Sequence, residues 1–174
     1  MPASDDIQLH IFSDAHSPYF AGAVLLYDRI WGEGRGHEPM MRHATYPGFK
    51  GIVALTPDAR VAGFIYGTTN LPGQWWYEQV APVLGPEDTA RYLNGTFYVT
   101  ELGVDPAFRR HGLGARLLSA VLADLPHSGA TLSTQCDNLP ARSLYEREGW
   151  RYLIEAMRFS ADGPEFVIMY RPLP

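Results

Sequence analysis

The chain has 174 residues, 46% of them apolar, a formal charge of −5 and a single cysteine, Cys136. This composition fits one globular domain with its own core, and excludes a disordered chain, an intrachain disulfide and the basic block that tracks nucleic acid. No apolar run approaches the ~20 residues that cross a bilayer, and MPASDDIQLH lacks a basic stretch followed by an apolar one, so a cytoplasmic protein with no membrane partner is expected.

IQLHIFS, Ile7 to Ser13, alternates and reads as a first strand. SPYFAGAVLLYDRIW follows as a helix, with Ser17 as N-cap and Pro18 at the first helical position. Phe20, Val24, Tyr27 and Trp31 form its apolar stripe, and the glycines of GEGRG end it. Gly51 to Leu55 and Arg60 to Thr68 flank the turn TPDA, a hairpin signal. Asn70 to Gly95 contains three prolines and three glycines and reads as a long irregular connection with at most short helices. TFYVTELGV, Thr96 to Val104, is the next strand. A helical face follows over 112–125, with Leu113, Leu117, Leu118, Val121, Leu122 and Leu125 at helical spacing. ATLSTQC is a strand, and LPARSLYEREGW a short helix capped near Gly149. RYLIEAMRF and EFVIMYR are two strands joined by SADGP. A strand-helix-strand unit makes a parallel pair and hairpins make antiparallel ones, so the sheet is mixed α/β.

RRHGLGA is where a strand hands over to a helix. A helix N-terminus leaves its first N–H groups unpaired and partially positive. Glycines let a ligand approach the backbone. Such a corner cradles anions through backbone dipoles, which an acidic net charge does not count. The dinucleotide fingerprint fails because Leu117 stands where its third glycine belongs, and the phosphate-loop pattern fails because the lone lysine, Lys50, is remote. A plain tight turn stays open on this fragment alone.

LGVDPAFRRHGLGARLLSAVL resembles the acetyl-CoA signature of the GNAT superfamily of N-acetyltransferases, with Arg109, Gly112 and Gly114 in its fixed places. DNLPARSLYEREGWRY resembles a second GNAT block, through Asn138, Ala141, Tyr145 and Gly149, with Trp150 where Phe is usual. The resemblance implies one domain over residues 1–174, with a mostly antiparallel sheet splayed between strands 4 and 5 and flanked by helices. It implies acetyl-CoA as donor and a primary amine as acceptor, on a small molecule or a protein N-terminus, acetylated by direct transfer. A non-catalytic acyl-CoA-binding sensor or regulatory module is the alternative, and a transferase of longer acyl groups a second one. A homodimer is common in the superfamily.

The same resemblance places the coenzyme diphosphate on backbone N–H groups of His111, Gly112, Leu113, Gly114 and Ala115, with Arg109 and Arg110 at the rim. It places the pantetheine arm against Leu102, Gly103 and Val104. Tyr145 matches the general acid that protonates the leaving sulfur; the alternative is a tyrosine packing helix on sheet. Glu101, a carboxylate inside an apolar strand, is a general base or substrate contact, or else an exposed strand end or a structural partner for an arginine. Asn138 touches the coenzyme arm, caps the next helix, or does both. Arg142 reaches the ribose phosphate end or lies on a solvated helix face. Trp75, Trp76 and Tyr77 either wall a cationic amine or form a satellite core. Cys136 reads as a small buried apolar residue. His37, Glu38 and His43 are irregularly spaced for a metal, and none is expected.

Overall fold

A computed structural model describes residues 6–174; residues 1–5, part of the stretch read for a secretory signal, lie outside the described residues. The elements in order are β1 (Gln8–Phe12), α1 (Pro18–Trp31), α2 (His37–His43), β2 (Lys50–Leu55), β3 (Val61–Thr69), α3 (Trp75–Leu84), α4 (Pro86–Asp88), β4 (Phe97–Val104), α5 (Leu113–Leu122), β5 (Gly129–Gln135), α6 (Leu139–Arg147), β6 (Arg151–Arg158) and β7 (Glu165–Pro172). The strand order is β1-β2-β3-β4-β5-β7-β6. β4 and β5 pair in parallel through Phe97↔Ala130 and Tyr98↔Thr131. β1–β2, β2–β3, β5–β7 and β6–β7 are antiparallel. The mixed, mostly antiparallel sheet with flanking helices is therefore the one expected. No helix among the described residues is long and apolar enough to cross a membrane.

The contacts of the chain divide it into two compact units: residues 6–68 with 99–124, and residues 69–98 with 125–174. In the first unit, α1 starts where the sequence places it. The Ser17 hydroxyl accepts the Tyr19 N–H at 3.3 Å, and Pro18 opens the helix. Phe20, Ala23, Val24 and Leu26 of α1 are buried with Phe12, Met40, Phe49, Val53, Phe64 and Tyr66. Each such large side chain stabilises by roughly 2 kcal/mol. Phe12 lies across from Gly51 in the β1–β2 register, and its ring fills the space a side chain there would need. On α5, Leu113, Leu117, Leu118, Val121 and Leu122 are buried. Lys50, at the start of β2, donates from Nζ to the carbonyls of Ala123 at 2.7 Å and Ala120 at 3.4 Å, and so closes the C-terminal end of α5.

The second unit corrects one expectation. Asn70 to Gly95 is mostly helical. α3 spans 10 residues, with Gly85 after it and Pro86 opening α4, and a π-turn covers Thr89–Leu93. The glycine and proline at 85 and 86 stand at helix boundaries, where they end and start helices and do not break them. Trp76, Tyr77, Val80 and Leu93 are buried with Met157 and Ile168. A second correction is α2, which the sequence reading passed over.

Candidate active site

In the first unit, β4 runs into a 3₁₀ turn at Pro106–Phe108 and then into the RRHGLG corner. Asp105 caps the turn, its Oδ1 accepting the Ala107 N–H at 2.9 Å. The Asp105 N–H donates to the Ala62 carbonyl at 2.9 Å, which ties the start of the turn to β3. Arg109 is held against the end of β4, its Nε donating to the Val104 carbonyl at 2.9 Å. Arg110 takes φ +65°, a left-handed conformation that costs a non-glycine residue about 1 kcal/mol. Gly112 takes φ +77° and precedes α5 without any side-chain cap. Nothing stands within 4 Å of where a Cβ on Gly112 would be, and the first turn of α5 has no acidic residue. Uncapped first-turn N–H groups, an open approach and no opposing charge are what a diphosphate needs.

Glu101 lies two residues before Gly103 on β4, and its strand neighbours define its setting. A Cβ on Gly103 would meet the Phe64 ring at 2.6 Å and Ile30 at 3.0 Å, so only glycine lets that ring and α1 lie so close. The Phe64 ring stands 6.3 Å from Tyr27, 6.1 Å from Trp31 and 6.4 Å from Tyr66. Glu101 is half-buried, and the protein around its carboxyl pushes its pKa up to about 7. Burial and the nearby Glu101 charge push the Tyr27 hydroxyl up to about 12, so it stays protonated and can only donate towards a carboxylate. His43, at the end of α2, has its Nδ1 2.9 Å from the Tyr66 hydroxyl. Burial, then the Arg42 charge, push His43 down to about 4 and leave it neutral. The side of β4 that carries Glu101 thus combines aromatic rings, a titratable carboxyl and a neutral imidazole.

The other predicted residues fall in the second unit. Tyr145 is buried on α6, with its ring 5.9 Å from Trp150 and its carbonyl accepting the Trp150 N–H at 3.0 Å. Asn138 caps α6, its Oδ1 accepting the Ala141 N–H at 3.3 Å, in keeping with its capping role. Arg142 donates from Nη1 to the Cys136 carbonyl at 2.7 Å and from Nε to the Tyr152 hydroxyl at 3.0 Å. Trp76 stacks on Tyr98 at 4.0 Å and donates to Ser133, and Tyr77 is buried and donates to Asn94. Both sit in the satellite core. Trp75 is 60% exposed, 5.4 Å from Phe159. Cys136 corrects its expectation: it lies just beyond β5 and is half-exposed, because the strand ends at Gln135.

The sequence reading missed Phe64 and Tyr66, weighed His43 only as a metal ligand, and took Tyr27 only as part of an apolar stripe. A signal was present for two of them. Phe64 and Tyr66 alternate on one face of β3, as Glu101 and Gly103 do on β4.

Comparison with known proteins agrees with this geometry. The acetyltransferase (GNAT) family model matches residues 20–150. A GCN5-like protein acetyltransferase of Mycobacterium tuberculosis is 35% identical over 127 residues, which are 67% of this chain and 61% of that protein. The chain therefore spans about three fifths of the length of that curated relative. Among solved structures, the NatC complex bound to Gag peptide and CoA superposes with a TM-score of 0.69 at 17% identity, over 97% of this chain and 99% of that one. NAA60 of Arabidopsis thaliana, in complex with a bisubstrate analogue, gives 0.66 at 16% identity, over 96% and 100%. The glycine corner and the uncapped helix α5 connect β4 to β5, the two strands that pair in parallel, within the fold that these solved structures share. The chain belongs to the GNAT acetyltransferase family, whose cosubstrate is acetyl-CoA.

Proposed function

We propose that this protein acetylates a primary amine with acetyl-CoA by direct transfer, and that the amine belongs to a protein or peptide. The observation that carries the reaction is Glu101, a carboxyl with its pKa near 7 beside Tyr27. An acceptor amine arrives as ammonium and attacks only when neutral. A carboxylate that titrates near neutrality can take that proton and pass it to water. Tyr27, kept protonated by burial and by the nearby Glu101 charge, is the neutral donor on α1 nearest this carboxyl in its electrostatics. The N–H groups from His111 to Ala115 hold the coenzyme diphosphate, and the backbone from Leu102 to Val104 holds the pantetheine arm. Acetyl-CoA, once bound, supplies an acetyl group already activated as a thioester. The Tyr145 hydroxyl keeps the proton that the departing sulfur requires, a role that rests on its place in the second sequence block. Orientation of the two reactants supplies much of the acceleration.

The protein or peptide acceptor is favoured by the relatives: one is described as a protein acetyltransferase and another is bound to a peptide and CoA. A neutral His43 and the rings of Tyr27, Trp31 and Phe64 suit an amine flanked by apolar groups. The test is release of free thiol from acetyl-CoA with a panel of peptides, polyamines and amino acids. Turnover with peptides above the others is expected. Binding of CoA with no turnover on any amine would leave only the non-catalytic module.

A further inference from the structure

The turn that leads into the glycine corner is held by a charge cluster that coenzyme binding, as described above, does not use. The Asp105 side chain is 8% exposed. Its Oδ2 accepts Arg60 Nη2 at 2.8 Å and lies 3.6 Å from Arg29 Nη2. Its Oδ1 holds the Ala107 N–H, its own N–H is held by Ala62, and its carbonyl accepts the Phe108 N–H at 2.8 Å. The Arg60 guanidinium also stands 5.2 Å over the Phe108 ring, and Arg29 reaches the Val61 carbonyl at 3.4 Å. The turn is thus tied to α1 through Arg29, to β3 through Ala62 and to the residue before β3 through Arg60. One residue later Arg109 bonds back to Val104, and the chain then makes two left-handed steps, at Arg110 and Gly112.

We propose that Asp105, through Arg60 and Arg29, is a positioning residue that presets the anion-binding corner before the coenzyme arrives. This rests on the reading that the corner takes the diphosphate. A corner that holds the non-glycine Arg110 at φ +65° is unfavourable by itself, and the glycine at 112 gives its own left-handed step little local preference. If nothing held its approach, the ligand would have to order it and would bind more weakly by the fraction of time the corner is misplaced. Asp105 removes that cost because a nearly buried carboxylate with two guanidinium partners and one N–H donor has a single arrangement that satisfies all three. The cluster touches no reacting atom, so its effect belongs to coenzyme affinity and not to the chemical step.

The experiment compares wild type, Asp105→Asn, Arg60→Gln and Arg60→Lys by calorimetry, well below each melting temperature. The probes are CoA and pantetheine, which has the arm and lacks the diphosphate. Wild type binds CoA far more tightly than pantetheine. Asp105→Asn weakens CoA by roughly tenfold and Arg60→Gln by about fivefold, the range of a lost charge-assisted hydrogen bond that orders a loop, while pantetheine binding stays put. Arg60→Lys recovers most of the CoA affinity. Arg60 is half-exposed, so its variants keep the test open if Asp105→Asn fails to fold. Equal weakening of both probes would mean a merely structural cluster and overturn the proposal, as would unchanged CoA affinity in Arg60→Gln. Wild type that binds both probes equally would instead overturn the diphosphate reading and this proposal with it.

Discussion

Replacing Glu101 by Gln separates two consequences of its setting, and they run in opposite directions. The carboxyl titrates near 7 where 4.5 is ordinary, with burial as the cause. The folded state therefore binds this proton more tightly than the unfolded chain. Below pH 4.5 both states hold it, and the glutamic acid behaves much as glutamine does. As pH rises through 7 the folded chain must ionise a carboxyl that burial disfavours, and wild type loses stability relative to the variant. Each pH unit between the two values is worth about 1.4 kcal/mol, a ceiling of roughly 3 kcal/mol. The residue is only half-buried, and solvent screening brings the figure to about 2 kcal/mol. For a chain of this size that is roughly 4–8 °C in melting temperature. Thermal melts of both proteins from pH 4 to pH 9 are expected to coincide at the acid end and diverge with the variant higher at the alkaline end. In the same variant kcat falls by about 10²-fold and the limb of the rate profile near pH 7 disappears, as expected for loss of a general base. A difference in melting temperature that is constant with pH, or wild type the more stable at pH 9, would refute the argument that burial raises this group.

Three further substitutions probe other parts of the fold and site. Tyr145→Phe removes one hydroxyl from α6, and kcat is expected to drop about 10²-fold with CoA affinity unchanged; full turnover would remove Tyr145 from the chemistry. Gly112→Ala puts a Cβ where nothing lies within 4 Å but at φ +77°. It should cost about 1 kcal/mol of stability and weaken CoA severalfold, read by melting and calorimetry; no change in either would mean the left-handed step is not required. Lys50→Met removes the ammonium that holds the Ala120 and Ala123 carbonyls, and the urea midpoint should fall by the equivalent of about 1 kcal/mol at constant m-value.

Much of the fold was legible because local chemistry and tertiary packing agree. Ser17 and Pro18 open α1 by a cap and a fixed φ, and both act without help from the rest of the chain. The leucines of α5 repeat at helical spacing and are the ones buried. Two helices were not legible. α2 spans seven residues and buries only Met40, so it has no stripe for a periodic pattern to show. α3 carries Pro82 within it, and glycines and prolines surround it. Counting those residues favours a loop; reading their positions favours helix boundaries. The difference lies in which N–H and φ each one occupies, and composition does not record that.

The site divides along the same line. The glycine corner was legible because its geometry is a backbone property, and only glycine at 112 makes φ +77° cheap. Glu101 was legible as an anomaly, a carboxylate among apolar residues. What surrounds it was not, because that depends on which strands are neighbours. Phe64 lies beside Gly103 through the order of β3 and β4, and Tyr27 comes within the field of the Glu101 charge through the docking of α1. Asp105 shows the point most sharply. In sequence it is the acid before a proline, the mark of a short turn. Its arginine partners come from 45 residues upstream at Arg60 and from α1 at Arg29. A residue's type names the chemistry it can do, but the partners that decide its charge, direction and strength come from chain distant in sequence.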